Sequence, residues 1–219
     1  MLNDLQFGWI KTDPDPRNIE YPMRPLLLGL PLPKQKTWIA GPIWNQGRTP
    51  ECAAYAGKAV LECSPIVQEG PSCQVIYDSA QKIDGIRMPH DGTTVHAVAK
   101  FLKSSGYYSK YVWPNSIDDV VKWLLLHGPL QIGIDWFDSM MKTDLQGIMH
   151  CDFNSTYRGG HSTDLFGADT ITGLCALQNS WGPDDFGIGG RGFIRIQDLD
   201  HLIFKLHGEC CAPTEVLKK

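Results

Sequence analysis

The chain has 219 residues, a formal net charge of −4 and 42% hydrophobic residues, enough to fill the core of one large domain or two small lobes. No basic stripe is visible, which argues against nucleic-acid binding, because phosphate contacts need clustered Lys and Arg. No run approaches the ~18 apolar residues that span a membrane, and the N-terminus does not resemble a signal peptide. We therefore expect a cytoplasmic protein without nucleic-acid or membrane partners.

Seven cysteines, an odd number, occur without Cys-x-x-Cys spacing. They are Cys52, Cys63, Cys73, Cys151, Cys175, Cys210 and Cys211. Without export the thiols should stay reduced, and most should pack as small apolar residues. The vicinal pair of residues 210 and 211 leaves a redox or metal role open. Six histidines share no helical ligand spacing, so no metal site is predicted: His90, His96, His127, His150, His201 and His207.

Residues 1–36 form a proline-rich arm that is expected to lie extended over the surface. Its prolines, including those in Asp13–Pro16, exclude a long helix or a central strand. Phe7, Trp9 and Tyr21 are candidate anchors for a structural strap. Autoinhibition, in which the arm blocks a groove, is the alternative.

From residue 37 to about 128 the signals are helical. Thr49 is the predicted N-cap of a helix that has Pro50 in its first position and runs to about Glu62. Cys52 then lies in the first turn, where unpaired N–H groups and the helix dipole stabilise a thiolate. Three further helices are predicted, at about Cys73–Ile83, Thr93–Ser104 and Ile117–His127.

Strand patterns follow from residue 130 onward. They cover Leu130–Asp135, Ser162–Ala168, Leu174–Gln178 and Gly192–Ile196. The sequence therefore predicts an α+β chain with a helical lobe at about 45–128, a β-rich lobe at about 129–200 and a tail at 201–219. The Gly-x-Gly-x-x-Gly match at 187–192 precedes a strand instead of a helix, so no dinucleotide or other cofactor is expected.

A cysteine, a histidine and an asparagine occur in the order that a thiol peptidase needs. Cys52 would be the nucleophile, at the start of a helix in the first lobe. His161 would be the base and Asn179 the group that orients it, both at strand ends of the second lobe. We expect His161 and the helix terminus to lower the pKa of the thiol.

Three segments, at 45–56, 159–161 and 178–182, together resemble the papain-like cysteine peptidases, in the compact form found in bacteria and their phages. The resemblance covers about residues 37–200 and implies a two-lobe fold with the active site in the cleft, within a peptidase domain at 37–219. It supports the roles given above for Cys52, His161 and Asn179. It also implies that the Gln46 side chain, with the Cys52 backbone N–H, binds the developing oxyanion, and that the ring of Trp181 shields the Asn–His hydrogen bond. The predicted substrate-binding residues are Gly92, Thr93, Gly133, Gly160 and Trp181.

Several features depart from that family. Thr49 stands where larger members have a cysteine, so their usual disulfide is impossible, and Ala53 replaces the aromatic residue after the nucleophile. His161 and Asn179 follow Cys52 by 109 and 127 residues, against roughly 130 to 150 in larger members. Both intervals are shorter, which indicates deleted loops. Glu51 beside the nucleophile would oppose thiolate formation.

The predicted function is hydrolysis of peptide bonds in polypeptide substrates. Two alternatives stay open. One is a cell-wall peptide amidase or endopeptidase, since unrelated CHAP amidases use a similar order of Cys, His and polar residue. The other is an inactive structural component with the same fold, for instance in a virion.

Overall fold

The fold was obtained as a computed structural model, and the structure describes residues 6–12, 21–86 and 91–216. The predicted extended segment Asp13–Pro16 and His90 lie outside these residues. The described residues form five α-helices and eight β-strands, in an α+β arrangement.

The four predicted helices all form, with boundaries within two residues of the expected ones. They are α1 (Cys52–Glu62), α2 (Cys73–Asp84), α3 (Val95–Ser104) and α4 (Ile117–Leu126), and a short α5 (Ile196–Asp200) follows the strand that ends at Arg195. Ser72, Thr94 and Ser116 cap α2, α3 and α4, each accepting a hydrogen bond from the backbone N–H three residues later.

The start of α1 differs from the prediction. Glu51 is its N-cap residue and makes no side-chain cap bond, so Thr49 lies outside the helix. The Thr49 hydroxyl instead donates to the Gln46 carbonyl at 2.7 Å, closing the preceding turn. Cys52 is consequently the first residue of α1, and its N–H is among those that have no partner within the helix.

The strands form one eight-stranded sheet in the order β2–β8–β3–β5–β6–β7–β4, with β1 paired to β5. Only the β4–β7 pair of these strands is parallel. The strands are β1 (Gln35–Thr37), β2 (Tyr108–Val112), β3 (Leu130–Phe137), β4 (Ile148–Met149), β5 (Tyr157–Asp169), β6 (Leu174–Gln178), β7 (Arg191–Arg195) and β8 (Glu209–Val216).

Two strand predictions are corrected by this sheet. His161 lies inside the 13-residue β5 instead of at a strand end. The stretch expected to be a tail contains a π-helical turn and the internal strand β8, which joins β2 to β3. Pro213 masks this strand in the sequence, because proline disfavours central strands. It is accommodated because β8 pairs with β3 only over residues 209–211 and with β2 beyond them.

Two apolar cores lie on either side of the cleft. One joins α1, α2 and α3, and the larger one joins the sheet to α4 and α5. Cys210 belongs to the larger core and Cys211 to a small cluster that contains Cys52, as expected for neighbours on a strand. All seven cysteines are free thiols. Among the described residues, no helix is long and apolar enough to cross a membrane.

Candidate active site

His161 and Asn179 form a buried hydrogen-bonded pair. The Nε2 of His161 lies 2.8 Å from Oδ1 of Asn179, which also accepts the Ser180 backbone N–H at 2.8 Å. Since Oδ1 can only accept, Nε2 carries the proton. The other ring nitrogen, Nδ1, is therefore left with a free lone pair, and it is buried without a hydrogen-bond partner.

Aromatic rings enclose the imidazole of His161. Trp181 packs along it with ring centroids 4.8 Å apart, and Trp136 meets it edge-on at 4.8 Å. Phe7, from the N-terminal arm, closes a further side at 5.8 Å. Both tryptophans are buried, so water is excluded from the Asn–His hydrogen bond. Trp136 was not identified from the sequence.

The side chain of Gln46 lies beside this pair and is held in one orientation. Its Oε1 accepts from the Ser180 hydroxyl at 2.7 Å. Its Nε2 donates to the carbonyls of Thr49 at 2.8 Å and Gln6 at 3.1 Å. The Ser180 backbone also bonds Asn179, so one residue fixes both predicted supporting groups.

Residues 6–12 of the arm, here called the cleft segment, run through the cleft above Cys52. Trp9 donates its backbone N–H to the Gly160 carbonyl at 2.9 Å. On the other wall, the Thr93 N–H donates to the Gly8 carbonyl at 2.8 Å, and the Ile10 N–H donates to the Thr93 carbonyl at 3.1 Å. The segment thus pairs with backbone from both lobes.

The predicted substrate-binding glycines line the path of this segment closely. A Cβ at Gly92 would overlap the Gly8 carbonyl, and one at Gly160 would overlap the Trp9 carbonyl. A Cβ at Gly133 would overlap the Trp9 indole. The remaining predicted contact, Trp181, meets the Phe7 ring edge-on at 6.2 Å. The structure therefore brings all five predicted substrate-binding residues against one piece of the arm.

A deep pocket takes the Trp9 side chain, which is only 4% exposed. The indole Nε1 donates to Oε2 of Glu209 at 2.7 Å, and the Val95 backbone N–H donates to the same oxygen at 2.9 Å. Burial raises the pKa of Glu209 to about 7, and the two hydrogen bonds oppose this. Glu209 was missed because its strand was expected to be a tail. Outside the pocket, Lys11 pairs with Asp135 at 2.9 Å.

Burial under the cleft segment changes the charge state of the site. It raises the pKa of the Cys52 thiol to about 11, against the lowering expected from the sequence, and lowers the pKa of His161 to about 4. The nearby backbone of Gly8, Ser162, Ala53 and Trp9 partly offsets the first effect. With the segment in place, Cys52 and His161 are therefore both neutral at pH 7.

Glu51, the residue that was expected to oppose a thiolate, is largely buried. Burial is the main reason that its pKa is raised, and the nearby Asp78 adds to the shift. No cluster of three or more metal-ligating side chains occurs within residues 6–12, 21–86 and 91–216.

No family model and no curated protein matches the sequence. Several solved structures match the fold. Xylellain, a cysteine protease from Xylella fastidiosa, is 18% identical over 98% of this chain and 97% of its own, with a TM-score of 0.76. The proCathepsin B S9 of Trypanosoma congolense is 12% identical over 98% of this chain and 88% of its own, with a TM-score of 0.65.

A cysteine protease of Carica candamarcensis, solved in complex with E-64, extends this likeness to a plant protein. It is 15% identical over 85% of this chain and 100% of its own, with a TM-score of 0.63. Identities this low establish shape and not activity. The chain therefore has the papain-like fold, a helical lobe and an antiparallel β-rich lobe that meet at a cleft.

Proposed function

We propose that this protein is a cysteine peptidase that hydrolyses peptide bonds, with Cys52 as nucleophile, His161 as base and Asn179 as its orienting group. One observation carries the proposal. An extended polypeptide, the cleft segment, already lies over Cys52 and bonds the backbone of Thr93 and Gly160. A cleft that binds the backbone of one polypeptide along both walls is suited to bind another.

The arrangement supports a thiol mechanism when the cleft is open. Cys52 would transfer its proton to Nδ1 of His161, the nitrogen that has a free lone pair. The thiolate would attack the scissile carbonyl, while Gln46 Nε2 and a backbone N–H at the start of α1 bind the oxyanion. The imidazolium would then protonate the leaving amine, and water would release the acyl group from the sulfur.

We further propose that the cleft segment is autoinhibitory. Its Gln6 carbonyl occupies Gln46 Nε2, the proposed oxyanion donor. The backbone of Gly8 and Trp9 lies close enough to the Cys52 sulfur to act on the pKa of the thiol, so it covers the nucleophile. Such a segment blocks the site. The likeness to a procathepsin over 98% of the chain is consistent with an inhibitory precursor form.

The proposal is tested by labelling the full-length protein with an epoxide that alkylates activated thiols, followed by mass spectrometry of each cysteine. Cys52 should react first, because it needs only the cleft segment to open, whereas the buried structural thiols need larger unfolding. Cys151, the one thiol that is only half-buried, is the internal comparison. Labelling of Cys151 before Cys52 would contradict the proposal.

Activity is tested with an unfolded protein and a cell-wall peptide as parallel substrates, using the Cys52→Ala variant as the blank. Cleavage of the unfolded protein by the wild type alone supports the peptidase. Cleavage of the cell-wall peptide alone would favour an amidase or endopeptidase instead. Labelled Cys52 without turnover of either substrate would point to an inactive structural component.

A further inference from the structure

The strip Gly92–Thr94, whose middle residue pairs with the cleft segment, is held by side chains of helix α2. Gly92 has a φ of +83°, and Thr93 is fully buried. Their position fixes where the Thr93 N–H and C=O point, and these are the two groups that bond the polypeptide in the cleft. Whatever holds this strip therefore sets how well the cleft binds a backbone.

Asp84, the last residue of α2, supplies most of that support. Its Oδ2 accepts from the Thr93 hydroxyl at 2.6 Å and from the Thr94 backbone N–H at 3.0 Å. Its Oδ1 accepts from the Thr94 hydroxyl at 3.1 Å. Three donors on two consecutive residues thus converge on one carboxylate, and hydrogen bonds to a charged group are stronger than neutral ones.

Two neighbours on the same helix fix the other end of the strip. The Tyr77 hydroxyl accepts the Gly92 backbone N–H at 3.1 Å. Gln81 donates through Nε2 to the Gly92 carbonyl at 3.0 Å and to the Tyr77 hydroxyl at 2.9 Å. Tyr77, Gln81 and Asp84 lie on one face of α2, at helical spacing. The first two hold Gly92, and Asp84 holds Thr93 and Thr94.

Helix stability alone does not account for Asp84. A carboxylate at the C-terminus of α2 meets the negative end of that helix dipole, which is unfavourable. The next helix, α3, is already capped by the Thr94 hydroxyl, which accepts from the Ala97 N–H at 2.9 Å. The bonds of Asp84 instead go to the residues that face the cleft.

We propose that Asp84 is a positioning residue for polypeptide binding: it holds the Thr93 backbone where it can pair with the cleft segment and, in the open form, with a substrate. The claim about substrate rests on the proposed function, whereas the claim about the cleft segment does not. Loss of Asp84 should loosen the Thr93 strip and the cleft segment together, without loosening the rest of the fold.

The test is amide hydrogen exchange of the full-length protein, comparing wild type with Asp84→Ala and Asp84→Asn. Residues 8–10 and 92–94 should exchange about tenfold faster in Asp84→Ala, since three bonds to a charged group are lost. Asp84→Asn keeps one oxygen that can accept, so it should restore part of the protection. Asp78→Ala, an exposed acidic residue on the same helix, is the matched control and should match wild type.

Unchanged exchange at residues 8–10 and 92–94 in a folded Asp84→Ala variant would overturn the proposal. So would an increase spread over the whole chain, or an Asp84→Asn variant as perturbed as Asp84→Ala, because that would indicate a purely electrostatic or structural role. If Asp84→Ala does not fold, Thr93→Val removes one of the bonds at nearly constant shape, and the same local increase is expected.

The exchange result is independent of catalysis. Faster local exchange in a protein that cleaves no polypeptide would support the positioning role and refute the proposed function. Unchanged exchange in a protein that does cleave polypeptides would refute the positioning role alone.

Discussion

Truncating Trp9 should open the cleft without unfolding the protein. The side chain is 4% exposed, and the other groups of its pocket come from separate elements of the fold. Trp9→Ala removes both the apolar contact and the hydrogen bond from Nε1 to Glu209. The contact joins the cleft segment to the lobes, so its loss should raise the population of the open form and leave the lobes folded.

The size of the effect follows from the buried area. A buried tryptophan removes roughly 200 Å² from water, which at about 25 cal/mol per Å² is an upper value near 5 kcal/mol. Core truncations of this kind typically cost about 3–5 kcal/mol. Taking about 3 kcal/mol, the open fraction should rise about a hundredfold.

The assay is the rate of alkylation of Cys52 in the full-length protein, read by peptide mass spectrometry. When opening and closing are fast, this rate follows the open fraction. Trp9→Phe keeps a ring in the pocket and loses only the bond to Glu209, so an increase of about tenfold is expected. Leu28→Ala, at a 71% exposed position of the same arm, should label like wild type.

Labelling of Trp9→Ala at the wild-type rate, with an unchanged melting temperature, would show that Trp9 does not hold the cleft closed. Simultaneous reactivity of all seven thiols would also refute this role, because global unfolding and not local opening would then be the cause.

Three further predictions concern pH and the supporting residues. Burial raises the pKa of Glu209 to about 7, so the closed form binds a proton that the open form releases, and closure should weaken as pH rises from about 4.5 to 7. The measurement is the rate of Cys52 labelling in wild type divided by the rate in Glu209→Gln, a ratio in which the ionisation of the thiol cancels. This ratio should rise between about pH 4.5 and 7. Burial likewise raises the pKa of Asp164 to about 8, and its Oδ2 has no hydrogen-bond partner. Ionising this carboxyl therefore destabilises the folded protein at pH 8, where Asp164→Asn should melt at a higher temperature than wild type. Near pH 4 the carboxyl is neutral in the folded protein, and the difference in melting temperature should disappear. In the Trp9→Ala background, Asn179→Ala should slow alkylation of Cys52 by about tenfold, because the imidazole is no longer oriented. Gln46→Ala in the same background should leave alkylation nearly unchanged, because alkylation forms no oxyanion. Equal losses in the two variants would show a structural role for Gln46.

The helices were predictable because their signals are local. A polar residue before each of α2, α3 and α4 caps it within four residues of sequence, and the apolar spacing that follows is the helical one. The strand Leu174–Gln178 was likewise predicted to the residue. The local elements predicted an α+β chain, and the papain-like fold was implied by the resemblance of segments 45–56, 159–161 and 178–182 to that family.

Glu209 and the cleft segment could not be assigned in the same way. The pocket for Trp9 is built from residues far apart in sequence, among them Val95, Gly133 and Glu209. The sequence near residue 9 does not indicate that such a pocket exists. A strap over the surface and a segment in the cleft could therefore not be distinguished from the sequence of the arm. Asp84 was hidden for the same reason, since its partners lie beyond the end of its own helix.

The expected low pKa of the Cys52 thiol depends on the same segment. The helix start and His161 favour a thiolate, but burial outweighs them while residues 6–12 cover the sulfur, and it also keeps the imidazole neutral. Withdrawal of the segment would admit water to both groups and remove the cause of both shifts. The motion that gives a substrate access would therefore also allow the proton to pass from Cys52 to His161. Access and activation would then be one step, and the segment could inhibit reversibly without any bond being broken.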